Sequence, residues 1–438
     1  APYRSGYETE LRSEIEQGLR EGDYQAVFST NALEIGIDIG RLDACILAGF
    51  PDNAFSAWQR IGRVGRSWKK TAYVLFYALN NPFDRFYATN VDTFLDKPLD
   101  QILIGVDNEE LMERHVPYLM HEIGRELDGE AGSELGDEFR DFVKEQTANT
   151  KPVHGKGPGY QKLSIRGGSN RIYTLVANGQ EIGTISDVHL FREAYIGAVY
   201  NHFGRSYRVV SHGAEEVELE SVEPHLQTEG MFYTVVNVDE VLAGFRYAEN
   251  LEAGYGQLTV IENFGGYRLI DTRTDEILDE VKSESARSFK VRGFWLGLED
   301  PSMLQCTRDP RDLFGLEQLL RIGVPFVVPC DRHDLGNYTH RNPYPSVYLY
   351  ETVPGGIGVA EKVLEVWDSI IREGQGITER CECRRGCPSC LVPPRIPSGF
   401  EPPKKDMAIA IGNELLGIAE SGMREQFDPN VHGWRPID

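Results

Sequence analysis

The sequence predicts an α/β protein in which a parallel-sheet domain is followed by a helical connector and a β-rich α+β domain. Near the N-terminus, nearly continuous apolar runs alternate with helix-like stretches, as in a doubly wound sheet whose parallel strands are buried on both faces. A charged stretch with helical periodicity comes next, and short β-like runs separated by turn residues fill much of the remainder. A group of four cysteines near the C-terminus predicts a metal centre in the second domain.

The first domain is expected to span residues 1–95. Its predicted strands cover 25–30, 44–49 and 71–79. Its predicted helices cover 8–22 and 55–66. A sheet of this type usually has about five or more strands, and fewer are visible here. We therefore expect the chain to begin partway through the fold and to be a fragment or a processed chain, which agrees with the lack of an initiator Met.

Residues 96–150 are predicted to form a helical or winged-helix connector, and residues 151–438 a β-rich accessory domain. The predicted strands of the accessory domain cover 171–186, 206–212, 216–222, 255–271, 325–330 and 346–353. Two predicted helices, at 358–373 and 404–420, flank the cysteine group.

Length and charge limit the class of protein. With 438 residues, 41% of them hydrophobic, the chain can bury two or three cores. It has no apolar run of about eighteen residues and no signal-peptide pattern at its start, so we expect a cytoplasmic protein without a membrane partner. The 68 acidic and 45 basic residues give a net charge of −23. This charge argues against binding nucleic acid by bulk attraction but does not exclude a locally basic groove.

The cysteine group has the spacing C-x-C-x3-C-x2-C, which brings four thiolates within reach of one ion. Its members are Cys381, Cys383, Cys387 and Cys390. Soft thiolates favour tetrahedral zinc, and four protein ligands leave no open position for catalysis. Structural zinc is therefore the preferred prediction. Disulfides and an iron–sulfur cluster are the alternatives, and the cytosolic interpretation disfavours disulfides.

Arginines recur regularly in "QRIGRVGR", residues 59–66. If this stretch is helical, Gln59, Arg63 and Arg66 lie at i, i+4 and i+7 and share one face. Guanidinium groups suit bidentate binding of phosphate oxygens, and an arginine beside a γ-phosphate stabilises charge during phosphoryl transfer. The alternative is an exposed basic helix without a ligand.

The stretch "STNALEIGIDIG", residues 29–40, ends a predicted strand and begins a helical turn. Thr30 and Asn31 stand where unpaired N–H groups and a hydroxyl can bind phosphate, although a threonine there is often only a helix cap. Asp38, between Gly36 and Gly40, lies on a tight turn and is suited to accept a hydrogen bond from a ribose hydroxyl.

Together these two stretches resemble motifs V and VI in the second RecA-like domain of superfamily-two helicases, in the correct order and at a suitable separation. The resemblance implies that Thr30 and Asn31 contact the nucleic-acid backbone. It also implies that Asp38 contacts the nucleotide or couples it to the strand. The other motif residues are implied to act on ATP, with Arg66 the arginine finger: Gly36, Gln59, Arg63 and Arg66.

The rest of the chain resembles the C-terminal region of bacterial DNA helicases of the MrfA and SftH type. The stretches "IRGGSNRIYTLV", "CDRHDLG", "YLYETVPGGIGVAEKV" and "CECRRGCPSCL" carry this resemblance, with Glu351 where the family often has Asp. It implies ATP-dependent 3′ to 5′ movement on single-stranded DNA or a duplex junction, a role in DNA repair, and ATP with Mg²⁺ beside the structural zinc.

Two motifs of such motors do not occur in the 438 residues: G-x-x-x-x-G-K-[ST], and D-E-x-H or D-E-x-D. They hold the phosphates and Mg²⁺, and in this family they belong to a first RecA-like domain, which we expect upstream in the same polypeptide. The chain is thus predicted to be the C-terminal portion of a helicase, inactive alone.

Two rival functions remain open. One is a non-catalytic, zinc-stabilised module that binds DNA or protein without ATP. The other is an RNA-directed motor, since contacts to the phosphate backbone distinguish RNA from DNA poorly. Separately, Gly355, Gly356 and Gly358 precede a predicted helix and could cradle an anion, but the turn lacks the Lys and Ser/Thr of a phosphate loop. A packing turn is preferred.

Overall fold

The computed structural model covers most of the chain. It describes residues 1–4, 6–34, 42–51, 53–65, 71–96, 103, 105, 108–122, 142–143, 145, 171–247, 251–298, 304–307, 309–341, 344–397, 399–421 and 424–426. The predicted site residues Gly36, Asp38 and Arg66 lie outside the described residues, as does most of the predicted connector.

The N-terminal region consists of parallel strand pairs joined by helices. Its elements in chain order are β1 (Pro2–Tyr3), α1 (Thr9–Glu21), β2 (Phe28–Ser29), β3 (Ala44–Ala48), α2 (Ala54–Ile61), β4 (Tyr73–Tyr77), α3 (Pro82–Thr89) and α4 (Val91–Asp96). Strand β1 pairs with β2 and β3 pairs with β4, both in parallel. These pairs, each with an intervening helix, confirm the predicted α/β class.

Side chains at the turns tie these elements together. Asn53 caps α2 by accepting the Ser56 N–H at 2.8 Å, and Asn81 caps α3 by accepting the Asp84 N–H at 2.8 Å. The buried Asp84 carboxylate accepts the N–H groups of Phe50, at 3.1 Å, and Leu79, at 2.7 Å. It thereby joins the chain after β3 to the chain after β4.

The prediction that these strands are buried on both faces is wrong. Tyr73, Leu75 and Tyr77 of β4 are 68%, 59% and 64% exposed, and Ile46 of β3 is 67% exposed. The residues that follow the strands pack with α2, α3 and α4 into a core that includes Phe50, Ala57, Phe83, Tyr87 and Phe94. The described residues therefore shield only part of the surface of this small sheet from solvent.

Of the predicted connector, the structure describes helix α5 (Glu109–Glu122) and a few neighbouring residues. Asn108 begins the helix, because its side-chain oxygen accepts the Leu111 N–H at 3.0 Å. The helical character expected here is confirmed for this segment.

A five-stranded sheet follows and has its own core. Its elements are β5 (Ile172–Ala177), β6 (Gln180–Ser186), α6 (Asp187–Glu193), β7 (Val199–His202), β8 (Arg205–His212) and β9 (Glu216–Ser221). The strand order is β6-β5-β9-β8-β7, with β5 and β9 parallel and the other pairs antiparallel. Leu175, Val209 and Val217 lie in the core between the strands and α6.

The C-terminal region is a six-stranded antiparallel sheet packed against three helices. Its elements are β10 (Leu226–Tyr247), β11 (Leu251–Asp271), β12 (Glu276–Leu298), α7 (Leu313–Val327), β13 (Leu335–His340), β14 (Ser346–Glu351), α8 (Val359–Glu379), α9 (Lys405–Glu420) and β15 (Arg424–Gln426). The strand order is β13-β14-β12-β11-β10-β15. Phe294, Leu320, Trp367 and Ile411 are buried between sheet and helices.

The sequence located some of these elements and missed others. The helices expected at 358–373 and 404–420 are confirmed as α8 and α9. The strand expected at 325–330 is wrong, because α7 continues through Val327. A short apolar run fits a buried helix as well as a strand, and α7 is buried on nearly every side. Among the described helices, none is both long and apolar enough to cross a membrane.

Candidate functional site

Thr30 and Asn31 lie on an exposed turn. Thr30 has extended backbone angles and precedes the short 3₁₀ helix Asn31–Leu33, but its hydroxyl makes no capping hydrogen bond. Both residues are exposed. The alternative of Thr30 as a capping side chain is therefore not supported.

Glu34, at the end of this turn, joins it to helix α2. Its carboxylate accepts from Arg60 Nε at 2.6 Å and from Ser56 Oγ at 3.3 Å, and it pairs with Arg60 Nη2 at 2.5 Å. The Glu34 carbonyl accepts from Arg63 Nη2 at 2.5 Å. We call these contacts the Glu34 bridge. Only 14% of the Glu34 side chain is exposed, so the two predicted motif segments are held together by a largely desolvated set of charges.

The expectation that Gln59 and Arg63 share one face of a continuous helix is wrong. Helix α2 ends at Ile61, Gly62 caps it, and Val64 forms a parallel bridge with Leu42. Arg63 thus stands on the turn after the helix and reaches back to Glu34, whereas the half-buried Gln59 side chain makes no hydrogen bond to a described residue. The i, i+4 and i+7 spacing of Gln59, Arg63 and Arg66 predicts a helix that continues past Gly62, whereas the helix ends at Ile61.

Sequence reasoning missed Glu34 and Arg60 as site residues, although both lie in the motif stretches. The available signal was a carboxylate between the apolar residues Leu33 and Ile35, followed by an arginine-rich segment. A buried acid is rarely found without a charged or hydrogen-bonded partner. The partner became identifiable only when the fold brought residues 26 positions apart into contact.

The four cysteines come together as predicted. All four Sγ atoms lie within 4.8 Å of one another, with Cys383–Cys390 at 3.5 Å, Cys381–Cys387 at 3.6 Å and Cys387–Cys390 at 3.8 Å. A tetrahedral ion with bonds of about 2.3 Å to sulfur requires sulfur–sulfur separations of about 3.8 Å. The donor set fits zinc, and the cysteines are free thiols rather than disulfides.

Backbone contacts hold this cysteine loop between α8 and α9. The Cys387 carbonyl accepts the N–H groups of Cys390 and Leu391, each at 3.0 Å. Lys405 Nζ, in the first turn of α9, donates to the Cys381 carbonyl at 2.6 Å. Thr378 Oγ1, in the last turn of α8, donates to the Cys390 carbonyl at 3.3 Å. The loop is thus supported at both ends by helices of the accessory region.

The glycine turn before α8 is filled by protein groups. The buried Glu351 carboxylate accepts the N–H groups of Ile357 and, at 2.6 Å, Ala360. The Asn108 side chain donates to the carbonyls of Pro354, at 3.0 Å, and Gly356, at 2.6 Å. Burial raises the pKa of Glu351, and the backbone N–H groups partly offset this effect. An internal carboxylate thus occupies the helix N-terminus, which supports the packing interpretation.

A second buried carboxylate, Glu317 of α7, was not anticipated. Its oxygens accept from Asn337 Nδ2 at 2.5 Å, Gln318 Nε2 at 2.9 Å and the Thr339 hydroxyl. Burial raises its pKa to about 7, although these donors and the charge of Arg321 act in the opposite direction. Such a residue can change its charge near neutral pH.

Comparisons with known proteins agree with these two centres. Residues 1–67 match the helicase conserved C-terminal domain, and residues 316–391 match the MrfA Zn-binding domain. These two matches confirm the resemblance to the C-terminal part of a superfamily-two helicase. The second match spans all four cysteines, which confirms the predicted zinc.

Individual relatives extend the likeness over most of the chain. The uncharacterized ATP-dependent helicase YprA of Bacillus subtilis is 27% identical over 416 residues, covering 89% of this chain and 54% of YprA. ATP-dependent helicase HRQ1 of Saccharomyces cerevisiae is 24% identical, covering 89% of this chain and 39% of HRQ1. The chain thus spans about half or less of the length of these relatives.

A solved structure shows the same fold. The crystal structure of the DUF1998 helicase MrfA bound to DNA superposes with a TM-score of 0.63 at 24% identity, covering 94% of this chain and 57% of MrfA. A second MrfA structure, bound to DNA and AMPPNP, gives a TM-score of 0.61 at 24% identity, covering 94% of this chain and 55% of that one.

Proposed function

We propose that this chain is the C-terminal portion of an ATP-dependent 3′ to 5′ DNA helicase or translocase that acts in DNA repair. Residues 1–95 would form the second motor domain, 96–150 the connector and 151–438 the zinc-stabilised accessory domain. The Glu34 bridge carries this proposal, because it joins the turn suited to the nucleic-acid backbone to the arginine segment suited to ATP.

In this proposal, Thr30 and Asn31 contact the DNA backbone from their exposed turn. Arg63 and Arg66 act on the triphosphate, with Arg66 as the arginine finger, while Gln59, Asp38 and Gly36 bind the nucleotide. The phosphate loop and the acidic residues that hold Mg²⁺ would come from a first RecA-like domain upstream in the same polypeptide. The Glu34 bridge then sets the position of the arginine segment relative to the DNA-binding turn.

The relatives support the ligands of this proposal. YprA and HRQ1 are described as ATP-dependent helicases, and the MrfA structures contain DNA and AMPPNP. A cytoplasmic location is part of the same proposal, because a reducing compartment keeps a four-thiolate zinc site intact. An RNA-directed motor would use the same residues and differ in the polymer that stimulates ATP hydrolysis.

The competing proposal is a zinc-stabilised module that binds DNA or protein without ATP. It explains the cysteine centre equally well but gives no role to the Glu34 bridge. A carboxylate, two arginines and a serine held in one largely buried set are costly to desolvate. Such a set of buried charges is expected where the arginine segment must keep a defined position.

A double-mutant cycle in the complete enzyme tests the proposed role of the Glu34 bridge. Glu34→Gln and Arg60→Ala should each lower DNA-stimulated kcat about tenfold or more, since misplacing catalytic groups by about 1 Å is costly. The double variant should be no worse than either single one, because both remove the same interaction. Arg20→Ala, which removes an exposed arginine of α1, is the matched control. Unchanged ATPase activity in both single variants would contradict the assignment.

A further inference from the structure

Helix α3 of the N-terminal region packs against the end of α7 through aromatic rings. The Phe326 ring lies with its centroid 5.1 Å from Phe83, 4.6 Å from Phe86 and 5.9 Å from Tyr87. These contacts join segments that are more than two hundred residues apart in the chain. They attach the N-terminal region to the accessory region at one surface of α3.

The same rings also touch the surroundings of the zinc centre. Phe86 and Phe326 pack against the buried cluster that contains Ile377, Cys390 and Leu391, and the other three cysteines pack against this cluster as well. Phe86 therefore packs both against the core of the N-terminal region and against the buried cluster that contains Cys390 and Leu391.

Both ends of the cysteine loop contact the start or face of α3. Arg380, directly before Cys381, places its guanidinium carbon 5.8 Å from the centre of the Phe86 ring. Ser389, directly before Cys390, donates its hydroxyl to Asn80, just ahead of the helix. The residues that touch α3 are thus immediate neighbours of metal ligands.

We propose that α3 docks on the cysteine loop, residues 381–390, so that zinc binding and the docking of α3 are thermodynamically coupled. With zinc bound, the four cysteines would hold the loop in place together with Arg380 and Ser389, and the energy of metal binding would contribute to folding around it. Coupling of this kind is reciprocal, so a loss of contacts on α3 must weaken zinc binding by the same factor. The proposal depends on the zinc centre and not on ATP or DNA.

The test changes α3 and measures zinc. Zinc loss from the purified full chain is followed with a chromophoric chelator for the parent, Asn80→Ala, Phe86→Leu and Phe94→Leu. Phe94 is the matched control, because it is buried in the same aromatic core but does not pack on the cysteine loop. We expect zinc affinity to fall about fivefold or more in Phe86→Leu, to fall measurably in Asn80→Ala, and to stay at the parental value in Phe94→Leu.

Two results would overturn the proposal. One is equal zinc affinity in the parent, Asn80→Ala and Phe86→Leu. The other is an equal loss in Phe86→Leu and Phe94→Leu, which would indicate general destabilisation of the N-terminal region. Asn80→Ala keeps the test meaningful if Phe86→Leu folds poorly, because Asn80 is exposed and its substitution removes little more than the bond to Ser389.

Discussion

Strands β4 and β14 look alike in sequence and differ in the structure. Strand β4 reads YVLFY and β14 reads SVYLYE. Every residue of β14 is buried, whereas four of the five in β4 are exposed. Strand β14 has β12 and β13 on its two sides and α7 across one face, while β4 pairs with β3 at the end of a two-stranded sheet.

The accessory region and the N-terminal region therefore depend on their surroundings to different degrees. The accessory region covers its own apolar strands with helices from the same chain and closes its metal site with four of its own thiolates. The N-terminal region leaves apolar strand surface exposed, and in our proposal it supplies only the arginine side of a nucleotide site. This contrast agrees with our proposal that a first RecA-like domain completes the motor.

The largest expected effect is a loss of stability in the accessory region. Cys387→Ser should destabilise the accessory region by more than about 4 kcal/mol, since structural zinc contributes on the order of 10 kcal/mol to the folding of small domains. Metal analysis should give about one zinc per parental chain. Cys306→Ser, outside the cysteine group, should retain the zinc and most of the thermal stability. A stable, metal-free parent with a Cys387–Cys390 disulfide would contradict the zinc centre.

The next effect concerns the catalytic rate, to which the N-terminal region is proposed to contribute. In the complete enzyme, Arg66→Ala should lower kcat about 10³-fold while DNA binding stays nearly intact, as expected for an arginine finger. Thr30→Val should instead uncouple unwinding from ATP hydrolysis, because it removes the proposed contact to the DNA backbone. Steady-state ATPase and strand-separation assays distinguish these outcomes. Equal ATPase rates for Arg66→Ala and the parent would remove the finger assignment.

Asn108 attaches the connector to the accessory region. Asn108→Ala removes two bonds to the glycine turn and the cap of α5. We expect a loss of about 3 kcal/mol in the free energy of unfolding, since buried carbonyls are left without donors. Asn90→Ala, at the exposed end of α3, should cost well under about 1 kcal/mol by the same denaturation assay. Equal losses in the free energy of unfolding for Asn108→Ala and Asn90→Ala would show that Asn108 does not stabilise the attachment of the connector to the accessory region.

The smallest predicted effect is a pH dependence inside the accessory region. Because burial raises the pKa of Glu317 to about 7, the folded state prefers the protonated acid. The resulting stability is full below the unfolded pKa of about 4.3 and is lost as the pH rises through about 7. Between pH 5 and 8 the parent should lose about 2 kcal/mol relative to Glu317→Gln. Parallel pH profiles from chemical denaturation would contradict this.

The sequence predicted what depends on local pattern and spacing. The four cysteines, helices α8 and α9, and the alternation of strand and helix near the N-terminus follow from the spacing of ligands and apolar residues. It did not predict the Glu34 bridge, the filled glycine turn or the exposure of β4. These features depend on which distant segments meet, as with Asn108 and Gly356, and a hydrophobic pattern does not contain that information.

The proposed division of the motor between two domains is tested by measuring ATP hydrolysis by the chain, with and without a first RecA-like domain joined in cis. Alone, the chain should hydrolyse ATP at no more than the background rate in the presence or absence of DNA, because it supplies only the arginine side of the site. Joined to the first domain, it should show ATP hydrolysis stimulated by single-stranded DNA. Robust DNA-dependent turnover by the chain alone, or no stimulation once the domains are joined, would contradict the account.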